Sequence, residues 1–169
     1  MNGRAPRRGS ALLIGSILSA QAVTGCTPAP QALLAAERNE SGEIRLLVAP
    51  CPDFKIRGVS VFLDDAAAPE AHWSLIRDSG ASTPSQINLF SPPDGYKVNV
   101  ATLTKIQPSK TYVAKIRGSI GSKGISGRLP FSLEKIDELS PDKVLAGLHG
   151  DKVVNRKDFL KSPPSRCKK

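Results

Sequence analysis

From Glu43 onward the chain is cut into short apolar runs rich in Val, Ile and aromatic residues, separated by clusters of Pro, Gly, Asp and Ser. Punctuation this frequent leaves no room for helices of ordinary length, so the segment has to fold as short strands joined by turns. The expected strands are 44–49, 55–63, 72–77, 86–90, 96–103, 111–118 and 125–133. In the sixth, Tyr112, Ala114 and Ile116 alternate with Val113, Lys115 and Arg117, the period-two pattern of a strand with one buried and one wet face. In the second, Phe54 and Ile56 change phase with Val59, Val61 and Leu63 across Gly58, which predicts a β-bulge there. The fold class is therefore all-β, a single antiparallel β-sandwich.

Beyond Leu133 the texture changes. Residues 134–142 read as a polar connection with a turn at Ser140-Pro141-Asp142, followed by a C-terminal hairpin of 143–148 and 152–154 around His149-Gly150-Asp151. Asn155 is placed to cap a short helix over 156–161, with Asp158 in its first turn and Phe159 and Leu160 as an apolar face, and Ser162-Pro163-Pro164 ends it. On the other side of the sandwich, residues 26–42 read as a tether with one or two loose helical turns around 31–38, so the folded domain is expected over 43–169.

The eleven residues Ile106-Gln107-Pro108-Ser109-Lys110-Thr111-Tyr112-Val113-Ala114-Lys115-Ile116 resemble the fibronectin type III consensus, with Ile106, Pro108 and Tyr112 at the matching positions. The resemblance implies an immunoglobulin/fibronectin III-like sandwich with a tyrosine corner, in which the phenol bonds back to the connecting loop while the ring packs in the core. Trp73, on an earlier strand, is its natural large core partner. Antibody-type domains carry a cysteine two residues after this tyrosine; Ala114 stands there, so no pin between the sheets is expected at that point.

The amino terminus carries an address. Arg4, Arg7 and Arg8 precede an acid-free apolar run over 11–22, too short for a permanent span of about 30 Å of hydrocarbon but suited to a removable signal peptide. Val23-Thr24-Gly25-Cys26 follows and resembles a bacterial lipobox, the signal peptidase II motif. That resemblance implies a signal peptide over 1–25, cleavage before Cys26, lipidation of its sulfur, and an exported protein anchored to the cell membrane or outer membrane. Ala20-Gln21-Ala22 supplies a rival cleavage after Ala22, which would give a secreted soluble protein.

Three cysteines are an awkward set for an exported chain unless one has another task. With Cys26 carrying lipid, Cys51 and Cys167 are left as a pair in an oxidising compartment, and a disulfide between them would clasp the start of the domain to its end. The alternative is two free thiols.

Chemistry-bearing motifs are scarce. Gly118, Gly121, Gly124 and Gly127 lack the spacing of a phosphate-cradling loop and read as a flexible hairpin loop between strands. Asp64 and Asp65 read as turn residues at a strand end, and His72 and His149 belong to no triad or metal motif. No catalytic residue, metal ligand or cofactor is assigned. The net charge of +9 falls to +6 once residues 1–25 are removed, because three arginines and no acid leave with them, so 21 basic groups face 15 acidic ones. For an exported, tethered chain that balance favours anionic lipid heads or acidic wall polymers over nucleic acid, and a solvated surface over either. The expectation is a non-catalytic binding or structural domain of the cell envelope, with the membrane as partner through the lipid and an envelope protein or anionic polymer beyond it. An accessory envelope enzyme or small-ligand carrier using His72, Asp64, Asp65 or His149 is the alternative.

Overall fold

A computed structural model describes residues 32–65 and 71–167. Val23, Thr24, Gly25 and Cys26 lie outside the described residues. In chain order the elements are β1 (Leu34–Arg38), β2 (Ile44–Val48), β3 (Phe54–Leu63), β4 (His72–Arg77), β5 (Gln86–Asn88), β6 (Tyr96–Ala101), β7 (Tyr112–Ile120) and β8 (Lys123–Phe131). There follow helix α1 (Leu133–Asp137), β9 (Lys143–Ala146), β10 (Lys152–Asn155), helix α2 (Arg156–Lys161) and a 3-10 turn at Ser165–Cys167. The strands form two five-stranded antiparallel sheets, ordered β10-β9-β1-β2-β5 and β6-β4-β3-β7-β8.

The alternating residues of the two sheets meet in one core. Leu34, Leu46 and Leu145 from the first sheet join Ile56, Val61, Trp73, Ile116 and Leu129 from the second. The first sheet is apolar on its other face too: Ala35, Leu47, Val144 and Ala146 make a second cluster that Phe159 closes, with Leu160 beside it. Asn155 caps α2 as its sequence position implies, its side chain accepting from the Lys157 amide at 2.9 Å. The molecule is thus layered as helix, first sheet, second sheet, and no helix lies over the outer face of the second sheet among the described residues.

The bulge expected at Gly58 is present, the β3–β7 register shifting between Ile56 and Gly58. The tyrosine-corner geometry is present as well: Tyr112 is buried and its hydroxyl accepts a hydrogen bond from the Gln107 amide at 3.0 Å. Its ring partner is not Trp73 but Phe131, at 5.9 Å between centroids, while Trp73 meets the edge of Phe90 at 5.7 Å.

Three expectations are corrected. Within the tether expected to hold loose helical turns, residues 34–38 are instead strand β1, paired with β2 and β9 in the middle of the first sheet, so the folded part begins no later than residue 32. A strand buried on both faces loses the alternation that announces a strand and reads as an apolar run of either kind. The polar connection at 134–142 opens with α1, capped by Ser132 and seated by the buried Ile136. The glycine-rich stretch is not a flexible loop: β7 and β8 run through it to a two-residue turn at Gly121-Ser122, with Gly121 at φ 56°. Gly127 serves close packing, since a Cβ there would lie 2.8 Å from that of Leu33.

Cys51 and Cys167 are joined in a disulfide with Cα atoms 5.3 Å apart and a sequence separation of 116. Closing a loop of that length stabilises by about 4 to 5 kcal/mol in the chain-entropy model. Glu37, almost without solvent exposure, adds a polar fastening on the helix side. Arg45 donates to it from the neighbouring strand at 2.9 Å, and Arg156 of α2 donates at 2.9 Å to its other oxygen. The acid therefore ties β1, β2 and α2 together.

Candidate binding face

The outer face of the second sheet is built by the period-two alternation that fills the core. While Val59, Val61, Leu75 and Ile116 point inward, Ser60, Ser74, Arg117 and Ser126 point outward. The register sets Ser60 opposite Ser74 on one side and Lys115 on the other, and one step along it pairs Gly58 with Arg117 and with Ile76. The bulge adds one residue to β3 at this point, and that residue is Arg57. Two arginines on neighbouring strands thereby fall beside the same pair of backbone positions, both exposed.

These residues border a concavity of about 530 Å³, lined also by His72, Ser74 and Asn99. Arg38, Arg45, Lys97, Arg128 and Arg156 each hold a carboxylate elsewhere. Among the described residues Arg57 and Arg117 hold none, and no Asp or Glu lines the concavity. Lys115, next on β7, lies 4.6 Å over the Phe62 ring. Like charges on neighbouring strands repel, so the face carries a local positive potential with no counter-charge among the described residues.

Two residues that line the concavity carry a buried polar atom with no hydrogen-bond partner among the described residues: Ser74 through Oγ and His72 through Nε2. Ser74 is only 7% exposed. The strand carrying them is firmly placed, because Thr102 Oγ1 accepts from the His72 amide at 2.9 Å and donates to the His72 carbonyl at 3.0 Å. The His72 ring also stands edge-on to Phe62 at 6.4 Å. A buried hydroxyl without a hydrogen-bond partner is an unspent hydrogen-bonding group.

The other singled-out residues are dispersed. Asp64 and His149 share a smaller concavity of about 320 Å³, where Arg128 lies 3.4 Å from the Asp64 carboxylate and His149 is exposed. His72 belongs to the larger concavity instead. Among the described residues no three His, Cys, Asp or Glu side chains gather where they could hold a metal ion, and no helix is long and apolar enough to cross a membrane. No family model, curated protein or solved structure matches the chain.

Proposed function

We propose that the protein is an exported bacterial lipoprotein, anchored by lipid on Cys26, whose sandwich is a non-catalytic binding module of the cell envelope. The observation that carries this reading is the Cys51–Cys167 disulfide. A disulfide that closes the fold belongs to an oxidising compartment, and it leaves Cys26, at the end of a basic and apolar leader, as the one cysteine without a structural task. Support for a binding role comes from the basic outer face of the second sheet, which among the described residues has no helix over it and no carboxylate to compensate Arg57 and Arg117. Two or more acyl chains, at about 0.8 kcal/mol per buried methylene, exceed what stable anchoring requires.

Labelling growing cells with a radioactive fatty acid tests the anchor. The wild-type chain is expected to be labelled and to sediment with membranes, and Cys26→Ala to be unlabelled. A soluble, unlabelled wild-type chain would mean secretion after Ala22 instead. The second reading, a small-ligand carrier or accessory enzyme, is favoured by one observation, the shared concavity of Asp64 and His149. Turnover of an envelope substrate abolished by His149→Ala in a folded protein would establish it.

A further inference from the structure

We propose that the concavity on the outer face of the second sheet is a phosphate-binding site, with Arg57 and Arg117 as its cationic jaws and Ser74 and His72 as its floor. The inference rests on the binding-module reading and gives it a location and a ligand chemistry; it does not depend on the lipid anchor.

Three features converge. The bulge at Ile56/Gly58 places Arg57 beside Arg117, a costly juxtaposition that nothing among the described residues neutralises. Ser74, nine-tenths buried, and His72 line the same concavity, and each carries a buried polar atom with no hydrogen-bond partner among the described residues. Among the described residues no carboxylate lines the space to compete for the arginines.

The choice of phosphate over carboxylate follows from counting donors. One guanidinium already saturates the two oxygens of a carboxylate in a bidentate pair. Two guanidiniums and a serine hydroxyl offer more N–H and O–H groups than two oxygens can accept in plane, and a tetrahedral, multiply charged phosphate uses them. Ile76, 38% exposed on the rim, gives an apolar neighbour for whatever carries the phosphate.

Calorimetric titration of the detergent-solubilised processed protein at low salt tests the site, with inorganic phosphate, glycerol phosphate, soluble dihexanoyl phosphatidylglycerol and acetate as probes. Saturable binding of a phosphate probe, weakened about tenfold or more by Arg57→Ala or Arg117→Ala, is expected. Ser74→Ala should weaken it too, while Lys152→Ala, on the other sheet, should leave it unchanged. Because Arg57 and Arg117 are exposed and repel each other, both variants should unfold at or slightly above the wild-type temperature, which separates lost binding from lost structure. Tighter binding of the short-chain lipid than of glycerol phosphate would identify a lipid headgroup as the source; equal binding would identify a soluble or polymeric phosphate. Both outcomes support the site. No binding of any phosphate probe, equal binding of acetate, or binding that Lys152→Ala weakens as much as Arg117→Ala would overturn it. None of these outcomes bears on whether Cys26 carries lipid, so the site and the anchor can fail separately.

Discussion

Glu37 shows how much one side chain decides in this fold. An acid with 4% exposure is tolerable only because two guanidiniums, from Arg45 and Arg156, satisfy both of its oxygens. Replacing it by Ala strands the half-buried Arg45 beside a new void, and Glu37→Ala is expected to cost about 2 to 3 kcal/mol in urea denaturation. A loss below about half a kcal/mol would mean that water replaces the carboxylate freely. By contrast Arg38 and Asp137, both well exposed, form a pair whose removal should change stability by about 1 kcal/mol at most. Tyr112→Phe keeps the packing against Phe131 and removes only the acceptor of the Gln107 amide, so about 1 kcal/mol is expected for the tyrosine corner. That corner was legible in the sequence because Ile106, Pro108 and Tyr112 act over a few residues. The Glu37 cluster was not, because Arg156 lies 119 residues away and only the docking of α2 brings it there.

At the scale of elements, local signals located most strands and failed where burial was two-sided. Residues 34–36 are buried on both faces, so β1 has no alternation to read, whereas β7 has a wet face and announces itself. Helix α1 does more than bridge β8 and β9. The Glu134 carboxylate accepts a hydrogen bond from the Ser109 amide at 2.5 Å, joining the loop before β7 to the helix. That bond, with help from its own amide and from Ser132, holds the Glu134 carboxyl below the ordinary glutamate range. A lowered folded-state pKa means that the contact is fully present above the ordinary glutamate value and is lost as pH falls through the folded value. The Ser109 amide resonance should therefore titrate with a midpoint below about 4.3, the unperturbed glutamate value, and Glu134→Gln should abolish the transition. A midpoint above that value would show that the contact does not favour the ionised form. Close packing gives a second element-level prediction. Gly127→Ala has to displace Leu33, and a loss of about 1 to 3 kcal/mol is expected from thermal unfolding.

For the molecule as a whole, the layering decides where binding can occur. Helix α2 covers the first sheet, and among the described residues the sheet with no helix over it is the one that carries Arg57, Arg117 and the Ser74 hydroxyl that has no partner there. In the sequence Gly58 announced the bulge, and the alternation of β7 announced a wet Arg117. Their juxtaposition arises only from the β3–β7 register, which joins residues about sixty apart and which no local pattern encodes. The disulfide was legible for a different reason, because cysteine counting needs no geometry once Cys26 is assigned to lipid. Its removal in Cys51→Ala/Cys167→Ala should cost about 4 kcal/mol, read as a lowered urea midpoint; an unchanged midpoint would mean that the denatured chain is not constrained by the clasp. The central claim, an oxidised sandwich held to the envelope by lipid on Cys26, is tested most directly by mass spectrometry of the membrane-extracted protein with non-reducing peptide mapping. Cys26 is expected as the first residue, heavier by its acyl groups, together with a cross-linked peptide pair containing Cys51 and Cys167. An unmodified Val23 at the amino terminus, or Cys26 found in a disulfide, would contradict it.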